Sequence, residues 1–225
     1  MGLFSTKDTD GDNEIAFHFH FPTSKNALII FTRNPELGKC KRRLAKTIGD
    51  EAALDIYKYL LKHTASVSET VNADKFVFYS ENIKKEDIWN ASHFKKKLQN
   101  GRNLGERMEN AFAELLNSGY QKTIIIGSDL LDLDSELIND AFNQLNHFDY
   151  VIGPAKDGGY YLLGMKTLNP NLFKNKNWGT ASVLKDTLNN LQHSTIHLLK
   201  ELNDIDTFED IKPYNQLKKY YDTHY

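Results

Sequence analysis

The chain has 225 residues, of which 40% are hydrophobic and 26% charged, a balance that favours one globular domain and excludes an intrinsically disordered chain. The formal net charge of −2 excludes a strongly basic surface, so we expect neither nucleic acid nor an anionic membrane surface as a partner. The single cysteine, Cys40, excludes an intrachain disulfide and a cysteine metal site, and is compatible with a reducing cytoplasm.

The N-terminal segment, residues 1–25, is polar with scattered His and Phe, and we interpret it as a tail ahead of one domain over residues 26–225. His18 and His20 could ligate a metal, but a partly ordered tail is the simpler interpretation. No apolar run approaches the roughly 20 residues that cross a bilayer. We therefore expect no membrane span, no signal peptide and a cytoplasmic location.

Beyond the tail, short apolar runs alternate with segments of helical periodicity. The apolar runs predict strands over residues 27–32, 75–79, 123–126, 150–152, 160–165 and 195–199. The periodic segments predict helices over residues 50–63, 104–116, 135–145 and 181–191, and a turn that becomes helical over 206–221. This alternation predicts an α/β fold with a mostly parallel sheet flanked by helices. In such sheets ligands bind beyond the carboxyl ends of the strands.

A basic loop follows the first predicted strand, with a turn forced by Pro35 and Gly38. Its cations are Arg33, Lys39, Lys41, Arg42 and Arg43. Clustered cations at a strand's carboxyl end suit a polyphosphate, so we predict that this loop, from Arg33 to Arg43, binds phosphate. A solvated basic surface is the alternative. Neither a P-loop nor a dinucleotide-binding glycine fingerprint is present.

Acidic residues follow two other predicted strands. Asp129 ends a Gly-Ser-Asp segment directly after a buried strand, where a carboxylate can hold Mg²⁺ or Mn²⁺ together with substrate phosphates. Asp204 and Asp206 follow the last predicted strand, and either could complete that metal site. Thr207 with Asp210 resembles the start of a capped helix.

A glycine-rich segment follows the strand over 150–152. Asp157 can accept hydrogen bonds from a sugar or base, and Gly158 and Gly159 let the backbone approach a ligand closely. A β-hairpin built on Asp-Gly is the alternative. Further substrate contacts are predicted from Tyr160, Trp178 and Thr180; Trp178 is either a stacking surface or a core residue, and Thr180 is also a candidate helix cap.

The order of these motifs resembles a known family. The matching segments cover nearly all of residues 27–211 and are 30–39, 41–44, 104–108, 127–129, 153–164, 178–180 and 204–207. Together they resemble the bacterial rSAM/selenodomain-associated transferase 1 family, formerly a domain of unknown function. That family is similar to the glycosyltransferase-A-like proteins of the nucleotide-diphospho-sugar transferase superfamily. The joint order of the motifs is highly specific, although each motif alone is not.

The resemblance implies a single-domain glycosyltransferase-A-like fold and a transferase whose donor is an activated sugar or a nucleoside triphosphate. It implies that Lys39, Lys41 and Arg43 meet nucleotide phosphates, that Asp129 binds the metal, and that Asp206 is a second metal ligand.

Several positions depart from the family pattern and bear on substrate preference. Leu130 and Leu131 stand where the family commonly has Cys-Pro, and Asn103 replaces a usual aspartate. Arg42 replaces a usual threonine, and Phe208 replaces a proline.

The favoured hypothesis is a metal-dependent nucleotidyl- or glycosyltransferase that uses Asp129 and Asp157 as catalytic residues and takes a nucleotide or nucleotide-sugar with a small-molecule acceptor. The main alternative is a nucleotide or nucleotide-sugar binding protein without turnover, suggested by the departures from the family pattern. An interaction module that uses the basic patch of residues 39–43 is disfavoured by the slightly negative net charge.

Overall fold

Seven strands of residues 22–222, the part of the chain that the computed structural model describes, form one sheet. The strands are β1 (Asn26–Thr32), β2 (Asp74–Tyr79), β3 (Phe94–Leu98), β4 (Lys122–Ile126), β5 (Tyr150–Pro154), β6 (Tyr160–Met165) and β7 (Ile196–Leu198). Most of the predicted N-terminal tail, residues 1–25, lies outside the described residues. So do His18 and His20, the candidate metal ligands.

The strand order is β3-β2-β1-β4-β6-β5-β7, and every neighbouring pair is parallel except the two pairs that involve β6. The predicted mixed, mostly parallel sheet is thereby confirmed. β3 was not predicted from the sequence. Its central residues are three lysines, which are typical of a strand at the edge of a sheet rather than of a buried run.

The helices are α1 (Arg42–Ile48), α2 (Asp50–Glu69), α3 (Leu104–Asn117), α4 (Ser135–Gln144), α5 (Val183–Asn189) and α6 (Phe208–Ile211), with 3₁₀ turns at Pro170–Phe173 and Asn215–Tyr220. α1 was not predicted, and α2 continues past the predicted end at residue 63 because Thr64, Ala65 and Ser68 still face the core. Among the described helices, none combines the length and the apolar character needed to cross a bilayer.

Both faces of the sheet are covered, which explains the unbroken apolar run of residues 27–31 in β1. Leu28 and Ile30 pack on one face with residues of α2 and α4, whereas Ala27 and Ile29 pack on the other face with residues of α3. Side chains alternate between faces along a strand, so a strand buried on both sides needs an unbroken apolar run.

Helix caps mark the ends of several loops that run from the carboxyl ends of strands to the following helices. The side chains of Asn103 and Asp134 accept hydrogen bonds from the backbone N–H groups of Glu106 and Leu137 and so cap α3 and α4. Thr207 and Asp210 form the capping box of α6, as their spacing predicted. α5 begins at Val183, after Ser182, and the hydroxyl of Thr180 bonds instead to the carbonyl oxygen of Asn177. The prediction of Thr180 as a helix cap was therefore wrong.

Candidate functional site

A cleft of about 490 Å³ opens at the carboxyl ends of β1 and β4. These two strands are neighbours in the sheet, but the chain leaves them in opposite directions: after β1 it continues to β2, and after β4 it crosses towards β5 and β6. Such a divergence leaves a crevice at the sheet edge, which is where ligands bind in open α/β sheets.

The cleft has more positive than negative charge. Its lining includes five cations, Arg33, Lys41, Arg42, Arg43 and Arg107, against two carboxylates, Asp129 and Asp206. The chain as a whole carries a net charge of −2, so this surplus is local. A concave, low-dielectric site with concentrated guanidinium and ammonium groups favours a polyanionic ligand such as a polyphosphate.

Lys41 and Asp129 form the central ion pair of this cleft. The Lys41 Nζ lies 2.9 Å from Asp129 Oδ2, and the Lys41 side chain is only 7% exposed while that of Asp129 is 37% exposed. Burial alone would lower the pKa of the Lys41 ammonium, but the charge of Asp129 and the hydrogen bond to it outweigh burial and raise that pKa. The lysine is therefore firmly cationic, and its backbone adopts the left-handed conformation (φ 48°) just before α1.

A second ion pair joins the same basic segment to the C-terminal acidic loop. Arg43 Nη1 lies 2.8 Å from Asp206 Oδ2, and Arg43 remains 68% exposed. The loop of Asp206 is tied to that of Asp129, because the Ile205 N–H donates to the Asp129 carbonyl oxygen at 2.9 Å. The structure thus brings Lys41, Arg43, Asp129 and Asp206 together from three distant parts of the chain.

Asp204 is close to this cluster and is its most perturbed carboxyl. Burial raises its pKa to about 6, and the negative charges of Asp129 and Asp157 add to the effect. Asp204 therefore lies near two other carboxylates, those of Asp129 and Asp157. In residues 22–222, however, no three His, Cys, Asp or Glu side chains converge closely enough to hold a metal ion by themselves.

Of the two remaining predicted phosphate ligands, Arg33 and Lys39, only one lies in the cleft. Arg33 lines the cleft, whereas Lys39 is absent from its lining and is 58% exposed. Lys39 forms ion pairs with Glu36 at 2.7 Å and with Glu81 at 3.6 Å, which hold it on the outer side of the loop.

The glycine-rich segment forms the β5–β6 hairpin, the alternative considered from the sequence. Asp157 Oδ1 accepts a hydrogen bond from the Gly159 N–H at 2.7 Å, closing the turn. Gly158 has φ +87°, and a Cβ there would lie 2.4 Å from the carbonyl oxygen of Ala181. The close approach that Gly158 permits is therefore to the chain's own backbone ahead of α5.

Tyr160, Trp178 and Thr180 do not line the cleft. The Tyr160 and Trp178 rings meet edge to face at 6.5 Å, and both pack against the core on the α3 side of the sheet. Within the described part of the chain, the buried Tyr160 hydroxyl has no hydrogen-bond partner. Trp178 also packs against Gly105, where a Cβ would lie 2.7 Å from its Nε1. Trp178 is thus a partly buried residue that packs on the edge of the core.

Three further cleft residues were not singled out from the sequence as site residues: Tyr57, Gln99 and Arg107. The Gln99 side-chain amide donates to the carbonyl oxygens of Thr32 and Phe78, and its oxygen accepts from Arg107. Arg107 belongs to the Leu-Gly-Glu-Arg segment that carried the family resemblance, so a signal existed for it. The helical spacing of Tyr57 indicates a core residue rather than a site residue. Gln99 belongs to no recognisable sequence motif.

The family model described as "Uncharacterized protein conserved in bacteria (DUF2064)" matches residues 63–180, more than half of the chain. A solved structure from Desulfovibrio desulfuricans G20, assigned as a nucleotide-diphospho-sugar transferase, is 30% identical and has a TM-score of 0.81. The match covers 88% of this chain and 89% of that one. The fold predicted from the resemblance, that of the nucleotide-diphospho-sugar transferases, is confirmed by this similarity.

A curated relative, the 2-phospho-L-lactate guanylyltransferase of Methanocaldococcus vulcanius, is 28% identical over 189 residues, 82% of each chain. A cytidylyltransferase from Leptospira borgpetersenii has a TM-score of 0.57 at 13% identity, covering 88% of this chain and 87% of that one. At that identity the likeness concerns the fold alone. The relatives are nucleotidyl- or nucleotide-sugar transferases, which confirms the expectation of an enzyme in this class.

Proposed function

The chain belongs to the bacterial family DUF2064, and from this premise we propose that it is a divalent-cation-dependent nucleotidyltransferase acting on a nucleoside triphosphate. Within the family we assign it to the rSAM/selenodomain-associated transferase 1 group, on the motif order described above. We place the activity in the cytoplasm, since the lone, buried Cys40 needs no oxidising compartment.

The observation that carries the proposal is the Lys41–Asp129 pair at the floor of a cleft with five cations and two carboxylates. A triphosphate donor presents more negative charge than the diphosphate of a nucleotide-sugar, and its leaving pyrophosphate needs cationic stabilisation. The name of the 28%-identical relative, a guanylyltransferase, supports nucleotidyl rather than glycosyl transfer.

In the proposed reaction an oxygen of a small acceptor, such as a phosphate monoester, forms a bond to the α-phosphorus. The bond from that phosphorus to the oxygen bridging the α- and β-phosphates breaks, and pyrophosphate leaves with the electron pair. Lys41, Arg43 and Arg33 would bind the phosphoryl oxygens and hold the leaving group in line with the acceptor. The contribution of the chain is thus positioning and electrostatic stabilisation.

The carboxylates fit a Mg²⁺ or Mn²⁺ ion. These ions prefer oxygen ligands, and Mg²⁺ commonly uses one or two protein carboxylates with substrate phosphates completing the shell. Asp129 with Asp206 or Asp204 would supply such a pair; the pKa of Asp204 is raised mainly by burial and further by the negative charges of Asp129 and Asp157. When bound, the ion would neutralise charge on the phosphoryl oxygens. Asp157, also near Asp204, is proposed as an auxiliary carboxylate of the same site.

The experiment is calorimetry of each nucleoside triphosphate with and without Mg²⁺, followed by a pyrophosphate-release assay with 2-phospho-L-lactate and other small phosphorylated acids as acceptors. We expect one triphosphate to bind only with Mg²⁺ and to release pyrophosphate only when an acceptor is present. Asp129→Asn should abolish both effects. Binding that is independent of Mg²⁺ and unchanged by Asp129→Asn would overturn the proposal.

The same experiment, run also with nucleotide-sugars and with detection of the released nucleotide, distinguishes the alternative of a nucleotide-binding protein without turnover. Leu130 and Leu131 after Asp129, and Phe208 after Thr207, are the departures that motivate it. Mg²⁺-dependent binding with no product from any triphosphate or nucleotide-sugar would favour this alternative, whereas sugar transfer from a nucleotide-sugar would favour the glycosyltransferase.

A further inference from the structure

The hydroxyl of Tyr57 reaches from α2 to the carboxyl end of β1, at the floor of the cleft. We propose that Tyr57 is a positioning residue, whose hydroxyl fixes the backbone of Arg33 and thereby the geometry of the phosphate-binding segment. The inference rests on the proposed function, because it concerns how that site holds the phosphates of its ligand. It is carried by the contacts that Tyr57 makes with the end of β1 and with Lys41.

Tyr57 binds both backbone groups of one residue. Its hydroxyl oxygen accepts a hydrogen bond from the Arg33 N–H at 2.9 Å, and the hydroxyl lies 3.2 Å from the Arg33 carbonyl oxygen, to which it can donate. The hydroxyl of Thr32 lies 3.5 Å away. Tyr57 as a whole is 3% exposed, so this arrangement is sheltered from water.

Tyr57 contacts the chain where β1 extends past the end of its neighbour β4. β1 pairs with β4 only as far as Ile30 and Ile126, so Thr32 and Arg33 extend beyond the last β4 partner. On the β2 side, the Thr32 carbonyl still accepts from the Ser80 N–H at 3.0 Å. A buried backbone group without a partner is costly. The Tyr57 hydroxyl provides the hydrogen bonds for the Arg33 backbone that a longer β4 would otherwise provide. Because β4 ends earlier, the space beside Arg33 is left open for the cleft.

Tyr57 also lies beneath the Lys41 ammonium. The Lys41 Nζ is 6.0 Å from the centre of the Tyr57 ring, at the limit of a cation–π contact. Burial raises the pKa of the Tyr57 hydroxyl, and this effect outweighs the hydrogen bonds with Thr32 and Ser128, which lower it. The hydroxyl therefore stays protonated and can donate. One side chain therefore supports Arg33 by its hydroxyl and Lys41 by its ring.

The test uses Tyr57→Phe, which keeps the ring and removes only the hydroxyl. The probe is inorganic pyrophosphate with Mg²⁺, because it reports on the phosphate subsite without a base or sugar. We expect Tyr57→Phe to weaken pyrophosphate binding about tenfold, the factor that corresponds to one net hydrogen bond of about 1.4 kcal/mol. Binding is measured by calorimetry well below the melting temperature of each variant.

The matched control is Tyr161→Phe. Tyr161 is also buried, at 4% exposure, and its hydroxyl donates to the Lys200 carbonyl oxygen at 3.0 Å, outside the cleft. A positioning role predicts a binding loss in Tyr57→Phe but less than about twofold loss in Tyr161→Phe at similar loss of stability. Unchanged binding in Tyr57→Phe, or an equal loss in both variants, would overturn the inference. Failure of the wild-type protein to bind pyrophosphate would instead count against the proposed function.

Discussion

The ammonium of Lys41 and the carboxylate of Asp129 lie 2.9 Å apart, although the two residues are 88 positions apart in the sequence. The pair joins the first basic segment of the chain to the end of the central strand β4. Each member would also contact a bound ligand, Lys41 through phosphate oxygens and Asp129 through a divalent cation. Because a carboxylate has two oxygens and an ammonium three N–H donors, the pair can persist while each member contacts the ligand.

The first prediction concerns the stability of this pair. Asp129→Asn leaves the Lys41 ammonium, 7% exposed, without its counter-charge, and we expect the free energy of unfolding to fall by about 1–3 kcal/mol. Lys41→Met should cost less, because Asp129 keeps contact with water. The double variant should recover part of the Asp129→Asn loss. Urea denaturation at pH 7 of all four proteins measures the coupling, and strictly additive losses would contradict it.

The second prediction separates the two ends of the basic segment. Arg43→Ala should weaken binding of pyrophosphate with Mg²⁺ about tenfold or more, because Arg43 lines the cleft beside Asp206. Lys39→Ala should change it less than about twofold, because Lys39 pairs with Glu36 outside the cleft. Calorimetry at one fixed salt concentration compares them. Equal losses would show that the loop moves Lys39 into the site when ligand binds.

The third prediction concerns pH. The pKa of Asp204 is about 6 in the folded protein, above its ordinary value of 3.8, because of burial and the charges of Asp129 and Asp157. A raised carboxyl pKa gives a contribution to stability that is complete below pH 3.8 and is lost as the pH rises through 6.

Asp204→Asn removes this titration. The free energy of unfolding of the variant, relative to wild type, should therefore increase between pH 4 and pH 7 (about one pH unit beyond the folded pKa). Urea denaturation at several pH values checks the trend, and the chemical shift of the Asp204 carboxyl checks the pKa directly. A difference between the two proteins that stays constant over this range would refute the assignment.

The fourth prediction concerns Gly105, the second residue of α3. In an ordinary helix interior Gly→Ala stabilises by up to about 1 kcal/mol. Here a Cβ would lie 2.4 Å from the Phe173 carbonyl oxygen, a backbone atom that cannot rotate away. We expect Gly105→Ala to destabilise the protein by about 1–3 kcal/mol. Thermal unfolding decides the sign, and a raised melting temperature would mean that the 3₁₀ turn of Phe173 shifts without cost.

The fold could be predicted well where burial leaves a clear periodic signal. β1 and β4 carry unbroken apolar runs over residues 27–31 and 124–126 because both faces of the sheet are covered. Asn103 and Asp134, which cap α3 and α4, are residue types favoured at that position. β3 was missed because an edge strand with Lys95, Lys96 and Lys97 lacks that signal. α1 was missed because its first residues were interpreted as part of a basic loop.

The candidate site was only partly readable for a different reason. Residues directly after strands, such as Asp129, can be placed from topology alone, because the carboxyl ends of parallel strands share one edge. Gly158 and Trp178 looked like ligand contacts, yet glycine and tryptophan serve close packing equally well, and here they contact Ala181 and Gly105. Tyr57 depends on a contact 24 positions away, which no local pattern encodes.

The reversed direction of β6 affects how this architecture can diversify. Because β6 is antiparallel to its neighbours, the β5–β6 hairpin emerges at the same rim as the loops after β4 and β7. Residues inserted at this hairpin would lengthen a wall beside the cleft without altering strand pairing or the Lys41–Asp129 floor. In the proposed transferase, acceptor preference would then change with hairpin length while the proposed phosphate-binding side chains stay the same.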